Sequence, residues 1–346
     1  MNPARPRVTL AVLNYNGREL LDRVMPAILA QSCEGGVQVL LVDDGSRDGS
    51  VRHVRSRWPT VRVLELPENV GVTAAFNRAV ASATTELVAL LNNDVELESS
   101  WLSELVGAID EHPESAVVTG KLLLFDDRHV IDSAGDLVLW SSAVVGRGHG
   151  LRDHGQFERP QPVFAATAGA ALYRRSAFEL VGPFDERFFA YLEDIDWGFR
   201  ARLLGLGCSY VPAAVGYHMG AATTGARRGF FGRLQRRNQL LLVAKDFPAG
   251  ILWRHWPKIL VHQLLWLAAS VRDRMLGEHL RAWLEFLLML PRTLVARTAI
   301  QRTRTVGARE LEAIAAESVP AQGSRAKRLL FEVAPLAAAR RSGAHV

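Results

Sequence analysis

Four short runs of this 346-residue chain carry side-chain types that chemistry can use. In Val42-Asp43-Asp44-Gly45-Ser46, two carboxylates follow an apolar stretch, and such groups accept hydrogen bonds from a ribose hydroxyl or a pyrimidine N–H. Turn and cap preferences explain Asp, Gly and Ser here equally well. Leu90-Leu91-Asn92-Asn93-Asp94-Val95 delivers carboxamides and a carboxylate at the end of another apolar run. That is a hard oxygen set, suited to Mg²⁺ or Mn²⁺ shared with substrate phosphates, although Asn-Asn-Asp is also a common turn. The run Tyr191–Arg200 holds Glu193, Asp194 and Asp196. A helix dipole favours acids in the first turn and explains one or two of them. A third, beside Tyr191 and Trp197, fits a general base near a reacting hydroxyl. Last, Val215–Gly220 offers His218, an imidazole able to complete an Asp-based Mn²⁺ site. A single histidine among ten is more often packing than ligand.

These runs need a scaffold that brings them to one place. Through the first 125 residues, apolar runs alternate with helical patterns, the signature of βαβ units on a mainly parallel sheet. Strands are expected at 7–13, 37–42, 61–66 and 87–91, and helices at 19–31, 49–58, 72–82 and 99–111, the last capped by Ser99 or Ser100. In open α/β sheets the ligand crevice lies outside the carboxyl ends of the strands, which is where Asp43 and Asp94 fall. From 117 to 162 the pattern loosens into short strands and Gly-rich turns. Order returns with strands at 168–173 and 209–211 and helices at 176–181 and 194–204.

Composition divides the chain. Residues 1–225 hold 20 Lys and Arg against 28 Asp and Glu, and residues 226–346 hold 21 against 8. An acidic front and a basic, Trp- and Leu-rich back imply two tasks, the second beside something anionic. Long amphipathic helices, interrupted at Pro248, Pro257 and Pro291, are expected after Gly225. Trp253, Trp256, Trp266 and Trp283 interleave with Arg254, Lys258, Arg272, Arg274 and Arg281, a pattern that suits the interface of a bilayer. A bundle packed on the front half with a solvated basic face is the plainer alternative. The longest uncharged apolar stretch, 259–271, is too short to span a membrane, where about 20 residues are needed. Met1–Pro6 is short and polar, so no secretory leader is expected. Cys33 and Cys208 stand far apart without a metal-binding or redox spacing.

In order and spacing, Val8–Asn16, Leu41–Ser50, Glu68–Asn77, Leu90–Val95, Gly169–Arg174, Gly182–Arg200 and His218 resemble the inverting family 2 glycosyltransferases, closest to the bacterial rhamnosyltransferase-like branch. The resemblance runs from Val8 to about Pro248. It implies an α/β fold of the GT-A type, a Rossmann-like nucleotide-diphospho-sugar transferase domain, with a helical C-terminal extension. It implies a catalytic domain at 1–225, with a donor-binding half to about 115 and an acceptor half at 116–225, then the basic helices at 226–318 and a partly disordered tail at 319–346.

The resemblance also implies roles. Leu13, Asn14, Tyr15 and Asp43 would meet the donor base and ribose, and Asp44, Asn69 and Gly71 would shape the same pocket. Asn92-Asn93-Asp94 stands where the family has a D-x-D motif, with Asn92 replacing the first aspartate. Asp94 and His218 would hold a divalent cation, Mg²⁺ or Mn²⁺, and Asp194 would be the base. Glu193, Asp196, Trp197, Arg236 and Arg237 are acceptor-side candidates, the arginines because guanidinium suits a lipid-linked pyrophosphate. The implied reaction moves a sugar from a dTDP- or UDP-linked donor, dTDP-rhamnose by preference, to a surface polysaccharide or a polyprenyl-pyrophosphate-linked glycan. It would take place at the inner face of the plasma membrane. Two other readings are disfavoured. A sugar-1-phosphate nucleotidyltransferase normally has a Gly-rich basic loop after the first strand, and Asn14–Leu20 offers one Gly and one Arg. A nucleic-acid-binding module is disfavoured because the basic half has no matching motif, so no nucleic-acid partner is expected.

Overall fold

The computed structural model describes residues 6–220 and 228–318. The expected domain boundary at 225/226 and the tail at 319–346 lie outside these residues. The chain opens with β1 (Val8–Asn14), α1 (Arg18–Leu29), β2 (Val37–Asp43), α2 (Ser50–Arg57), β3 (Arg62–Glu65), α3 (Val72–Ser82) and β4 (Leu87–Asn92). It continues with β5 (Val95–Leu97), α4 (Trp101–Glu111), β6 (Ser115–Leu124), β7 (Ile131–Ser133), β8 (Asp136–Val138), β9 (Val144–Gly146) and β10 (Gln161–Pro162). Then come β11 (Ala170–Arg174), α5 (Arg175–Val181), a 3₁₀ turn (Glu186–Phe188), α6 (Glu193–Leu203) and β12 (Gly207–His218). Four helices close the described chain: α7 (Arg228–Asp246), α8 (Ala249–Arg272), α9 (Leu276–Thr303) and α10 (Ala308–Ser318).

The main sheet has the order β10-β12-β6-β11-β4-β1-β2-β3. β4, β1, β2 and β3 run parallel, as the βαβ pattern requires, whereas β11 is inserted antiparallel between β4 and β6. Every residue of β1 is buried, because helices cover both faces of a parallel sheet. One core layer joins the sheet to α1, α2 and α4 through Leu21, Val54 and Trp101. The other joins it to α3, α5 and α6 through Phe76, Val181 and Trp197.

A third cluster packs the far side of α6, through Ile195, Phe199 and Leu203, on Leu242 of α7, Phe247 of the α7–α8 link, Ile251 of α8 and Leu311 of α10. Burying each such side chain contributes about 1.5–3 kcal/mol. The helix that carries the candidate base is therefore clamped between the sheet and the C-terminal helices.

Two local expectations are corrected. Pro257 and Pro291 lie inside α8 and α9 and do not interrupt them; of the three prolines only Pro248 marks a helix start. Each costs one backbone bond, but packing of α7, α8 and α9 against one another carries the helices through. Ser100 occupies the N-cap of α4 with helical dihedrals, φ −88° and ψ −5°, and its side chain makes no capping bond.

Candidate active site

The carboxyl ends of β1, β2 and β4 meet at one rim. Asn14, the last residue of β1, is fully buried and donates from Nδ2 to Asp43 Oδ2 (2.8 Å) and Ser46 Oγ (3.1 Å). Its Oδ1 accepts from Asn93 Nδ2 at 2.8 Å. Gly17 allows this junction: a Cβ there would fall 2.1 Å from Asn93 Nδ2. Asp43 also accepts from the Ser46 N–H, and Asp44 accepts from the Val70 and Gly71 N–H groups at 2.8 and 3.1 Å. Burial raises the Asp44 carboxyl, against the opposing effect of those two bonds.

Asn14, Asp43, Asp44 and Asn93 thus tie together the rim at which donor contact is expected. Leu13 is buried beside them, Tyr15 and Asn92 are half-buried, and Asn69 is exposed. The polar depression at this rim is lined by Gly45, Ser46, Arg47, Glu65, Leu66 and Pro67. Ser46 and Arg47 stand inside the Asp43-Asp44-Gly45-Ser46-Arg47 run, so position after a strand was the signal for them.

Sheet register brings Asp94 and His218 together across 124 positions of sequence. β12 pairs antiparallel with β5, placing His218 opposite Val95, and Met219 N–H donates to the Asp94 carbonyl at 2.9 Å. His218 Nε2 lies 3.5 Å from Asp94 Oδ2. Asp94 is 8% exposed, and its Oδ1 has no hydrogen-bond partner among the described residues. On the other side of the imidazole, Nδ1 meets Asp132 Oδ2 at 2.8 Å.

Burial alone would lower the His218 pKa, but the bonds to Asp132 and Asp94 push it up to about 10. Asp132, whose burial acts the other way, is held well below the usual carboxylate range by His149 and His218. Nothing in the sequence singled out Asp132. It is the extra residue of a bulge between β6 and β7, where Ser133 pairs with Leu122 and Ile131 with Leu123, and a bulge re-aims a side chain.

Asp194 arrives from the other direction. Its Oδ2 accepts the Ala168 N–H at 2.9 Å, and the next carbonyl, Gly169, accepts from the Asn92 N–H at 2.9 Å. Two backbone steps therefore connect Asp194 to the end of β4, where the Asn-Asn-Asp run begins. Asp194 is half-buried; burial raises its pKa and the Ala168 and Ile195 N–H groups oppose the rise.

Two further carboxyls crowd it. Asp136, bonded to Thr167 Oγ1 at 2.9 Å, is pushed up to about 8 by burial and then by the charge of Asp194. Glu193 is likewise pushed up to about 8 by burial and by Asp194, and its Oε2 has no hydrogen-bond partner among the described residues. Like charges at short range disfavour one another's ionisation, and the charge of Asp194 contributes to the rise of both Asp136 and Glu193. Asp136 lies in the loosely patterned stretch and carried no sequence signal.

Three acceptor-side candidates, Asp196, Trp197 and Arg237, are corrected as interior residues, whereas Arg236 is half-buried. Asp196 is fully buried and paired with Arg200 Nε at 3.0 Å and with Lys245. Trp197 is buried and donates from Nε1 to the Gly182 carbonyl. Arg237 is buried and donates to the carbonyls of Arg187 and Phe188, and Arg236 is held by Ser270 Oγ and the Gly232 carbonyl. Such internal networks satisfy charges that could not otherwise leave water.

Asp94 and His218 set a carboxylate oxygen without a partner beside an imidazole, donor types that suit a cation once the imidazole has lost its proton. No cluster of three or more His, Cys, Asp or Glu suited to a metal occurs among the described residues.

Comparison with known proteins agrees with this geometry. The family Glycosyl transferase family 2 matches residues 9–182. The N-acetylglucosaminyl-diphospho-decaprenol L-rhamnosyltransferase of Mycobacterium tuberculosis is 30% identical over 241 residues, covering 62% of this chain and 77% of its own. Among solved structures, a mannosyltransferase of Pyrobaculum calidifontis in complex with GDP-Man and Mn²⁺ superposes with a TM-score of 0.51 at 19% identity, over 98% of this chain and 87% of that one. TarS of S. aureus gives 0.55 at 15% identity, over 97% and 92%. The fold is that of GT-A glycosyltransferases, and it is the family match that sets the nucleotidyltransferase rival aside. With half of its length matched by the family and its crevice residues gathered at one rim, this chain belongs to glycosyl transferase family 2 and is a glycosyltransferase.

Proposed function

We propose that the protein transfers one sugar, with inversion and with the help of Mg²⁺ or Mn²⁺, from a nucleoside diphosphate donor to a lipid-linked or surface glycan. The observation that carries this is the convergence of Asp94, His218 and Asp194 on the ends of β4, β5 and β12. The rhamnosyltransferase name of the mycobacterial relative favours rhamnose and a polyprenyl-diphosphate-linked acceptor, and we take a dTDP-linked sugar as the donor. Residues 1–115 would then form the donor half, 116–225 the acceptor half, and 226–318 a membrane-facing extension.

A cation held by Asp94 and His218 would offset the charge that develops on the departing diphosphate. The chain's own residues do the rest. Asp132 orients the imidazole by its bond to Nδ1. Asp194 takes the proton of the acceptor hydroxyl on the face away from the leaving group, so a single displacement inverts the anomeric carbon. Glu193, buried in the turn before it, would border the acceptor. Held protonated, Asp136 and Glu193 leave Asp194 as the one carboxylate there.

The outer faces of α8 and α9 support a membrane setting. Trp253, Trp256, Leu264, Leu287, Leu288 and Val295 are exposed, alongside Arg272, Arg281 and Arg292, with Lys258 half-buried. No helix among the described residues is long and apolar enough to cross a membrane. Attachment to the inner face of the plasma membrane from the cytoplasm is the arrangement we propose. Flotation with vesicles containing anionic lipid should recover the wild type, and Trp253→Glu with Leu288→Glu should reduce recovery; equal recovery refutes the membrane part.

The catalytic part is tested with a panel of UDP-, GDP- and dTDP-sugars, each with and without Mn²⁺. A dTDP-sugar should give metal-dependent turnover and thermal stabilisation. Asp94→Ala should lower Mn²⁺-dependent nucleotide affinity at least tenfold, and unchanged affinity by calorimetry refutes the metal assignment.

A further inference from the structure

The loop that presents Asp194 is strained and is held from outside. Phe189, Tyr191 and Leu192 have φ of 64°, 68° and 65°, left-handed values that bulky residues avoid. Such a run persists only where the surroundings dictate it. Five consecutive carbonyls, from Arg187 to Tyr191, are each taken by a donor outside the loop. The two Nδ2 hydrogens of Asn238 are shared among the carbonyls of Phe188, Ala190 and Tyr191, at 3.0, 2.8 and 2.8 Å. Arg237 donates to Arg187 and Phe188 at 3.0 and 2.9 Å, and the Thr73 N–H donates to Phe189 at 3.2 Å. Asn238 is fully buried, and its Oδ1 is itself fixed by the Arg237 guanidinium at 3.0 and 2.9 Å.

The same loop leans on the donor side. At Gly71, with φ 88°, a Cβ would lie 2.5 Å from the Phe189 ring, and Asp44 pins the Gly71 N–H. The loop is thus gripped by α7 on one side and by the Asp44-braced turn on the other. The Leu192 carbonyl then accepts the Asp196 N–H and starts α6 with Asp194 in its first turn.

We propose that Asn238, oriented by Arg237, is a positioning residue for the reaction: it holds the 188–192 loop in the strained form that aims Asp194. The C-terminal helices would on this view be part of the catalytic apparatus as well as a surface for docking. The proposal rests on Asp194 as base. Displacing a catalytic group by about 1 Å can cost about 10²-fold in rate.

In the full-length protein, Asn238→Ala and the isosteric Asn238→Asp, which removes the donor, should each lower kcat for Mn²⁺-dependent dTDP-rhamnose turnover at least thirtyfold. The Kd of dTDP with Mn²⁺ should stay within twofold, and amide exchange across 188–195 should quicken. Leu311→Ala, a core truncation in α10 adjusted by assay temperature to an equal thermal margin, should keep kcat within twofold. The proposal is overturned if Asn238→Ala keeps kcat within threefold of wild type, if Leu311→Ala loses as much, or if exchange at 188–195 is unchanged. Should Asn238→Ala fail to fold, Arg237→Lys replaces it, with about a tenfold loss of kcat expected and wild-type kcat overturning the idea. If the wild type turns over no dTDP-sugar, or Asp194→Asn stays active, the base reading fails by itself, while the exchange arm still decides whether Asn238 holds the loop.

Discussion

The two sides of the crevice are built on different principles. The rim that holds Asp94 and His218 is made of strand ends, and its geometry follows from backbone pairing: β12 lies against β5, so position 218 must face position 95. The rim that holds Asp194 is a strained loop, and its geometry follows from side chains contributed by α7 and from the Ala168 N–H. Charges are managed differently as well. On the strand side, acids face a histidine and compensate it. On the loop side, acids face one another, and burial raises them. On the strand side each carboxylate is paired with the imidazole, whereas on the loop side the carboxyls are crowded and partly desolvated.

The sharpest test of this contrast is Asp194→Asn. A general base contributes about 10²–10⁴-fold, so kcat should fall by that amount while calorimetric binding of nucleotide with Mn²⁺ is retained. A loss of binding of similar size would mean that the two rims are not separate.

Next comes Asp132→Asn, which keeps the shape but weakens the grip on His218 Nδ1. Partners that orient a metal-bound histidine typically contribute 10–100-fold in metal affinity, so Mn²⁺ titrated by electron paramagnetic resonance should bind about tenfold more weakly. Affinity equal to wild type would leave Asp132 as a packing residue.

The smallest effect concerns the crowded carboxyls. An acid whose folded pKa is raised is stabilised in its protonated form, so its contribution is complete below about pH 4 and is lost as pH rises toward about 8. Asp136→Asn removes that dependence at one site. Its melting temperature relative to wild type should therefore climb between pH 5 and pH 8, at about 2–4 °C per kcal/mol for a protein of this kind. A difference that does not change with pH would show that Asp136 is charged in the fold.

Much of the front half was legible from periodicity. The helix expected at 72–82 is α3, and β1, β2 and β4 fall within a residue of their expected bounds. Apolar runs between turn signals are a local property, and a strand buried on both faces leaves a continuous apolar trace. The long β12 was harder. Only 209–211 was expected of a strand that runs from Gly207 to His218, because Pro212 and Gly216 hide it and its partners β5 and β6 lie far away in sequence. The arginines at 236 and 237 looked like phosphate ligands because a basic run has the same composition whether it faces solvent or carbonyls.

By itself the sequence determined the alternation of strands and helices, the acids at strand ends, and the division into an acidic front and a basic back, since each is written in residues near one another. Tertiary structure alone decided that Asp132 stands behind His218, that Asp136 crowds Asp194, and that Asn238 grips the loop before it. These pairings join positions 47 to 86 apart. No local pattern encodes a hydrogen bond across such a gap; it exists only when the folded backbone brings a donor and an acceptor to within about 3 Å.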